Sequence, residues 1–201
     1  MKLALPSPLL TRKGVSVWLR AYHSWRSPDW LRRERRALAV GRHGAKFGVF
    51  TTTELSAILD WKVSPEIFKR AREAVMQNDP QLVEEQCRAA FLQGPTRLAV
   101  DHLIGLKGIR IPVASAILHC AWRREYPILD KNVLWTTHAF HLRTTSRPSS
   151  KELRALACEY GVWREYFSFF AACRTSLEVS AFALDRAMWF FGRRKGKLPR
   201  K

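Results

Sequence analysis

Acidic residues are scarce in this 201-residue chain, which has 17 Asp and Glu against 35 Lys and Arg and a formal net charge of +18. So large a positive excess favours a polyanionic partner, either nucleic acid or an anionic membrane. Long apolar runs are also missing, because stretches such as Phe167 to Cys173 fall well short of the ~20 residues that span a bilayer. The sequence therefore predicts a nucleic-acid partner and argues against membrane insertion.

The chain also has little that would direct it out of the cell. Its first residues resemble a signal peptide only superficially, because Pro6 and Pro8 interrupt the apolar stretch and no small-residue cleavage site follows. We therefore expect a cytoplasmic location, in association with the nucleoid or with phage DNA.

Cysteine is sparse, and its spacing is unsuited to a metal cluster. The cysteines lie far apart in the sequence, without the close pairs that bind zinc or an iron–sulfur cluster. Isolated thiols in helical segments commonly fill core space. The sequence therefore predicts no bound metal at the cysteines and buried thiols at Cys87, Cys120, Cys158 and Cys173.

Alternating strand patterns are nearly absent, whereas apolar residues recur with a helical period from about residue 28 to residue 192. We therefore predict an all-α fold. Asp79-Pro80 marks one helix start, and capping boxes mark three more, at Thr51 with Glu54, Ser149 with Glu152 and Thr175 with Glu178. The predicted helices cover about 28–41, 53–61, 64–78, 80–92, 95–105, 112–124, 130–141, 149–159, 162–174 and 176–192.

The most informative segment is LIGLKGIRIPVASAIL, from Leu103 to Leu118. Gly105 and Gly108 are expected to adopt backbone angles closed to other residues, and Gly108 also to leave its amide open to a phosphate. Pro112 suits the first turn of a helix, where amides lack intrahelical partners and attract anions. The pattern predicts two helices joined by a glycine-bearing hairpin over about residues 95–125.

This segment resembles the helix-hairpin-helix family, and the residues after it narrow the resemblance. The sequence Tyr126-Pro-Ile-Leu-Asp130 places an aspartate at the start of the next predicted helix, after a short apolar connection with a proline. Together the two features look like the base-excision DNA glycosylases that carry a helix-hairpin-helix, a Gly/Pro-rich hairpin and an aspartate, the HhH-GPD superfamily. The resemblance covers about residues 95–135 and is weaker outside them.

The resemblance implies a two-lobed helical glycosylase fold. A contiguous helical barrel lobe would comprise residues 51–132, and a second lobe built from both termini would comprise residues 1–50 and 133–201. Asp130 would be the catalytic residue, stabilising positive charge on the sugar as the glycosidic bond breaks and orienting the attacking water. Pro112 stands where lyase-competent members have a lysine, which implies hydrolysis that leaves an abasic site.

The resemblance also implies that a monomer binds double-stranded DNA. Contacts at the hairpin and at the start of the following helix would go to phosphates and would not read base sequence. The hairpin carbonyls of this family often hold a potassium or sodium ion, and no other cofactor is implied. The implied backbone-binding residues are Lys107, Gly108, Ile109, Arg110 and Lys131.

A glycosylase must extrude its target base from the duplex and stack it against aromatic side chains. Each aromatic residue near the motif could equally be a core or surface residue, and the identity of the base stays open. An alkylated or deaminated base in repair and a hypermodified base of phage DNA in host defence are both compatible with the sequence. The candidate pocket residues are Trp61, Lys62, Trp122, Tyr126 and Trp135.

Two alternatives remain open from the sequence. The chain could be a non-catalytic helix-hairpin-helix module, in which the hairpin binds phosphate and Asp130 only caps the next helix. If the chain is a glycosylase, another lysine could replace the absent lyase lysine, and Lys62, Lys107 and Lys131 are the candidates.

Overall fold

The computed structural model describes residues 5–48, 50–63, 65–93, 96–122, 126–138 and 149–198. Within these ranges it contains eleven α-helices, one short 3-10 helix and no strand, so the all-α prediction is confirmed. The helices are α1 (Arg12–Trp25), α2 (Pro28–Phe47), α3 (Thr52–Lys62), α4 (Pro65–Met76), α5 (Pro80–Leu92), α6 (Arg97–Ile104), α7 (Ile111–Ala121), α8 (Lys131–His138), α9 (Ser150–Leu156), α10 (Tyr160–Leu177) and α11 (Ala181–Arg193).

The chain divides into two compact units. The hairpin unit, Ser27–Tyr126, is contiguous and contains α2 to α7, whereas the terminal unit combines Met1–Arg26 with Pro127–Lys201 and contains α1 and α8 to α11. The boundaries follow residues 26 and 126, compared with the 50 and 132 expected from the sequence. The arginine-rich segment that suggested residue 50 lies within α2, which packs against α3 and α7 of the hairpin unit.

Helix α7 forms the centre of the hairpin unit, and α2, α3 and α6 pack around it. Its small residues Ala114 and Ala116 are fully buried, which allows neighbouring helices to approach closely. On α2, an added Cβ at Gly41 would lie 2.4 Å from the Cβ of Cys120, so these two helices touch backbone to backbone. This close packing fixes α7, whose first turn follows the hairpin.

Helix α11 forms the core of the terminal unit and packs against α1 and α8. Trp18 of α1 meets Phe191 of α11 edge to face, with ring centroids 4.9 Å apart. Gly192 lies directly on the first turn of α8, because an added Cβ there would be 1.9 Å from the carbonyl oxygen of Asn132. The position of α8 in this unit therefore depends on a glycine in α11.

Two of the three predicted capping boxes are confirmed, at Thr51 with Glu54 and at Ser149 with Glu152. The third is wrong, because Thr175 lies inside α10 and Glu178 ends that helix in a left-handed conformation with φ +52°. The next helix is capped instead by Ser180, whose hydroxyl accepts from the amide of Ala183. The prediction at Asp79 is confirmed, since its carboxylate accepts from the amide of Gln81 at 2.8 Å.

Helix α1 was not predicted, although its pattern was present in the sequence. Val15, Trp18 and Tyr22 lie at helical spacing and are buried, and the hydroxyl of Thr11 caps the first turn. Gly14 and the prolines before it obscured the pattern, since both residue types normally interrupt helices. Here Gly14 is required, because an added Cβ would lie 2.0 Å from the carbonyl oxygen of Pro8.

The prediction of buried thiols holds for two cysteines and is wrong for the other two. Cys87 and Cys120 are buried, but Cys173 is half-buried and Cys158 is exposed because it lies in the turn after α9. Burial raises the pKa of the Cys87 thiol to about 12, with a contribution from Glu54, and that of Cys173 to about 11. Both thiols are therefore protonated and weakly nucleophilic at neutral pH.

No single helix in the described parts of the chain has the length and apolar character needed to cross a bilayer. Helices α10 and α11 meet those criteria of length and composition only as a pair, across a bend of 112°.

Candidate functional site

The hairpin between α6 and α7 runs from Gly105 to Arg110. Gly108 has φ +83°, which confirms that this position needs a backbone conformation rarely open to other residues. The corresponding expectation for Gly105 is wrong, because its φ of −64° is helical. Gly105 simply ends α6, and its amide donates to the carbonyl of Asp101 at 3.2 Å.

The missing side chain of Gly108 serves packing against α4. An added Cβ would lie 2.9 Å from the carbonyl oxygen of Ala71 and 3.0 Å from the Cβ of Ala74. The space that a side chain would need is therefore filled by α4, and the access of a phosphate to the Gly108 amide stays a prediction. Glycine is required here both by its positive φ and by this close contact.

Asn78 fixes the hairpin backbone from the end of α4, and the sequence did not predict this role. The amide of Lys107 donates to Asn78 Oδ1 at 2.8 Å, and Asn78 Nδ2 donates to the carbonyl of Lys107 at 3.1 Å. Asn78 Nδ2 also donates to the carbonyl of Val75 at 2.9 Å. The side chain is 7% exposed, so these hydrogen bonds are shielded from water. The only sequence signal was its place before the helix start at Asp79.

Replacing Asn78 is expected to loosen the hairpin. Asn78→Ala removes both hydrogen bonds to Lys107, and we expect the free energy of unfolding to fall by about 1–3 kcal/mol because the hairpin groups lose their partner. The measurement is urea denaturation, with Gln77→Ala as a control that removes an exposed amide from the adjacent position. Equal stability of the two variants would show that the Asn78 contacts do not hold the hairpin.

The hairpin presents its basic side chains to solvent. Lys107, Gly108 and Arg110 are exposed, whereas the side chain of Ile109 is 4% exposed and anchors the loop in the core. The amide of Lys107 is already bound by Asn78, so a phosphate at this residue would meet the ammonium group. Four of the five residues expected to bind DNA phosphates therefore lie on one loop, and the fifth, Lys131, lies in the terminal unit.

Two carbonyls of the hairpin already accept hydrogen bonds within the protein. Leu106 accepts from the amide of Ile109 at 3.2 Å, and Lys107 accepts from Asn78. A carbonyl oxygen has two lone pairs, so these oxygens can still coordinate a cation. Bound potassium or sodium at the hairpin stays a prediction.

Asp130 lies at the start of α8 in the terminal unit, and its carboxylate is held from two directions. Oδ1 accepts from the amides of Asn132 at 2.8 Å and Val133 at 3.1 Å, which is the geometry of a helix N-cap. Oδ2 accepts from the indole Nε1 of Trp189, on α11, at 2.8 Å. The residue is half-buried, so its carboxylate is oriented by three donors in a partly dehydrated setting.

No protein-family model, curated protein or solved structure matches the chain. Any functional assignment therefore depends on the chemistry and placement of the residues themselves.

Trp189 is a second site residue whose role the sequence did not predict. Its ring is covered by the guanidinium of Arg26, whose Cζ lies 4.3 Å from the ring centroid. The same guanidinium also lies over Tyr22 and Trp25, at 4.9 Å and 4.7 Å. These contacts restrict the indole that donates to Asp130. The role of Trp189 becomes visible only in the fold, where these side chains come together.

Helix α11 also holds the connection that leads to Asp130. The amide of Ile128 donates to Oδ1 of Asp185 at 2.9 Å, and Asp185 is itself paired with the neighbouring Arg186. Asp185 is 2% exposed, so this hydrogen bond is shielded from water. Both the aspartate and the segment before it are therefore positioned by side chains of one helix.

The groups around Asp130 carry altered pKa values. Burial, followed by the negative charges of Asp185, Asp130 and Cys173, holds the pKa of the Tyr166 hydroxyl well above its usual range. Burial also lowers the pKa of Lys131, and the positive charges of Arg154 and Arg193 lower it further, while Asp130 raises it. The start of α8 thus combines one oriented carboxylate with a partly dehydrated ammonium group.

The candidate base-pocket residues are divided between the two units. Trp61 and Tyr126 are 5% and 0% exposed in the hairpin unit, and that burial favours a packing role over stacking on a base. Trp122, half-buried at the end of α7, lies edge to face with Phe91 at 6.2 Å. Lys62 ends α3 and is half-buried. Trp135 belongs to α8 of the terminal unit, where its ring lies 6.2 Å from that of Phe191.

Among the residues that the structure describes, no three His, Cys, Asp or Glu side chains are grouped as a metal-binding site would require.

Proposed function

We propose that this chain is a monofunctional DNA glycosylase, which extrudes a damaged or modified base and hydrolyses its N-glycosidic bond to leave an abasic site. The proposal is supported by the fixed carboxylate of Asp130, held by the amides of Asn132 and Val133 and by the indole of Trp189. A catalytic group must be held within about 0.5 Å of its productive position by such supporting contacts. Capping of α8 alone would not need a tryptophan on the second oxygen.

In the proposed reaction, the bond between C1′ and the base nitrogen breaks and its electron pair leaves with the base. Positive charge then develops on the sugar ring, and the carboxylate of Asp130 stabilises that charge. A water molecule forms the new bond to C1′, and Asp130 accepts its proton. The half-buried position of Asp130 strengthens its electrostatic effect compared with an exposed carboxylate.

The proposed binding of duplex DNA is supported by the charge and by the hairpin. The chain has a net charge of +18, and Lys107 and Arg110 extend from a loop whose backbone is fixed by Asn78. Contacts to phosphates give affinity that depends strongly on salt and little on base sequence. Discrimination between bases would therefore come from the groups that contact the extruded base.

The proposal of hydrolysis without strand cleavage is supported by Pro112, which lies in the first turn of α7 and has no amine to attack C1′. Of the candidate lysines Lys62, Lys107 and Lys131, the last is adjacent to Asp130, and its lowered pKa makes it a better nucleophile than an exposed lysine. Sodium borohydride distinguishes the two reactions. A trapped covalent adduct between protein and DNA would contradict the monofunctional assignment.

The experiment that tests the function is incubation with duplexes that each carry one altered base. The panel contains alkylated, deaminated and oxidised bases together with glucosylated hydroxymethylcytosine, and the readout is strand cleavage by alkali at the abasic site. We expect cleavage on at least one substrate. Activity on a damaged base would indicate repair, and activity on the glucosylated base would indicate defence against phage. Binding of the same duplexes without cleavage on any of them would contradict the proposal.

A second candidate, a non-catalytic helix-hairpin-helix module, is favoured by one observation. Oδ1 of Asp130 makes the two amide contacts of an ordinary N-cap, and this role needs no chemistry. The hairpin and the net charge would serve such a module equally well. The panel above distinguishes the two, because a module binds duplex DNA and excises nothing.

A further inference from the structure

Three basic residues from three different elements of the terminal unit lie near the start of α8, close enough for Arg154 and Arg193 to act electrostatically on Lys131. Lys131 begins α8, Arg154 lies on α9 and Arg193 ends α11. Helix α9 packs against α8, and Gly192, next to Arg193, touches the backbone of Asn132, next to Lys131. The contacts between helices, rather than the sequence order, therefore bring these cations together.

Among the described residues, the two arginines of the cluster have no carboxylate partner. Neither Arg154 nor Arg193 forms an ion pair with any residue in the described ranges, and both are exposed. Two acids lie beside the cluster in the sequence: Asp130 accepts from Trp189 and two amides and also favours the charged form of Lys131, and Glu152 accepts from the amide of Ser149. Other arginines of the chain do have carboxylate partners, namely Arg32, Arg33, Arg88, Arg97 and Arg186.

Like charges at close range oppose folding, so a cluster of this kind is costly without a bound anion. Burial is the main cause of the lowered pKa of Lys131, and the positive charges of Arg154 and Arg193 lower it further, against the opposing effect of Asp130. An anion placed among the three groups would remove the repulsion and form charge-assisted hydrogen bonds with both guanidinium groups. The oxygens of a phosphodiester can accept hydrogen bonds from all three groups, and the net charge of +18 favours a polyanion.

We propose that Lys131, Arg154 and Arg193 form a phosphate-binding cluster that holds one backbone phosphate of duplex DNA on the terminal unit. The cluster belongs to the terminal unit, whereas Lys107 and Arg110 belong to the hairpin unit, and it is proposed whether or not Asp130 performs chemistry. Through this cluster the terminal unit would bind the DNA backbone, in addition to the phosphate contacts expected at Lys107 and Arg110.

The test is the salt dependence of binding to an unmodified duplex by the full chain. Each phosphate neutralised contributes about 0.9 to the slope of log K against log salt concentration, so Arg154→Gln with Arg193→Gln should lower that slope by about 0.9. The matched control is Arg20→Gln with Arg164→Gln, which removes two exposed charges from α1 and α10 of the same unit. We expect the control to keep the wild-type slope. An equal change in both double variants, or no change in either, would overturn the proposal.

A second measurement uses only the wild-type protein and the same variants. Inorganic phosphate should raise the melting temperature of the wild-type chain above that in chloride of equal ionic strength, and this difference should be lost in the Arg154, Arg193 double variant. An identical phosphate effect in that variant would contradict the assignment of the site. Tighter binding to vesicles of anionic lipid than to duplex DNA would overturn the choice of DNA as the partner. Loss of base excision by Asp130→Asn with an unchanged slope would affect the catalytic proposal alone.

Discussion

Asp130→Asn should abolish base excision, with a rate at least about 100-fold below that of the wild-type protein, while duplex binding is retained. Asparagine caps helices as well as aspartate, so the amides of Asn132 and Val133 keep an acceptor. The amide nitrogen of the new side chain cannot accept from Trp189, and loss of that hydrogen bond should cost about 1 kcal/mol. The measurement is single-turnover excision on the best substrate of the panel, with circular dichroism to verify folding.

The control for this variant is Asp79→Asn. Asp79 caps α5 through the same kind of contact, to the amide of Gln81, but belongs to the hairpin unit. We expect its excision rate to stay near that of the wild-type protein. If Asp130→Asn keeps its activity as well, the mechanism proposed for Asp130 is wrong even though the protein is a glycosylase.

Gly192→Ala is expected to destabilise the terminal unit strongly. The new Cβ would lie 1.9 Å from the carbonyl oxygen of Asn132 and 2.6 Å from the hydroxyl of Thr136, so α8 and α11 must separate. The first of these contacts is with backbone, which a change of side-chain rotamer cannot relieve. We expect the free energy of unfolding to fall by about 3 kcal/mol or more, which lowers the melting temperature by roughly 6–12 °C.

Gly161→Ala is the matched control, because an added Cβ at this position in α10 meets nothing within 4 Å. Alanine favours the helix, so this variant should be unchanged or up to about 1 kcal/mol more stable. Differential scanning calorimetry of the two variants measures the contrast. Similar melting temperatures would show that α8 and α11 do not depend on their close approach at Gly192.

The helical fold could be predicted from the sequence because its signals are local. The capping box at Thr51 and the aspartate at Asp79 act within one turn, and both mark helix starts in the structure. Thr175 with Glu178 matched the same pattern inside a continuous helix, since a capping box does not encode whether the preceding helix has ended. The boundary between the units was harder to predict, because it depends on tertiary packing. Helix α2 belongs to the hairpin unit because it packs against α3 and α7.

Only part of the candidate site could be predicted from the sequence. Asp130 and the hairpin are recognisable from residue types and spacing along the chain. The partners that position them are distant in sequence, since Trp189 follows Asp130 by 59 positions and Asn78 precedes Lys107 by 29. Tryptophan and asparagine are common in core and turn positions, so neither could be assigned a partner until the fold brought the pairs together.

The terminal unit is built from both ends of the chain, and this determines when Asp130 becomes ordered during synthesis. The hairpin unit, Ser27–Tyr126, is continuous, so all of its residues are available once Tyr126 has left the ribosome. The terminal unit must wait for α11, because that helix supplies Trp189, Asp185 and Gly192 to α8 and to the connection before it. A nascent chain would thus complete the residues of the hairpin before those that orient Asp130, and a product cut short ahead of α11 would lack Trp189, Asp185 and Gly192.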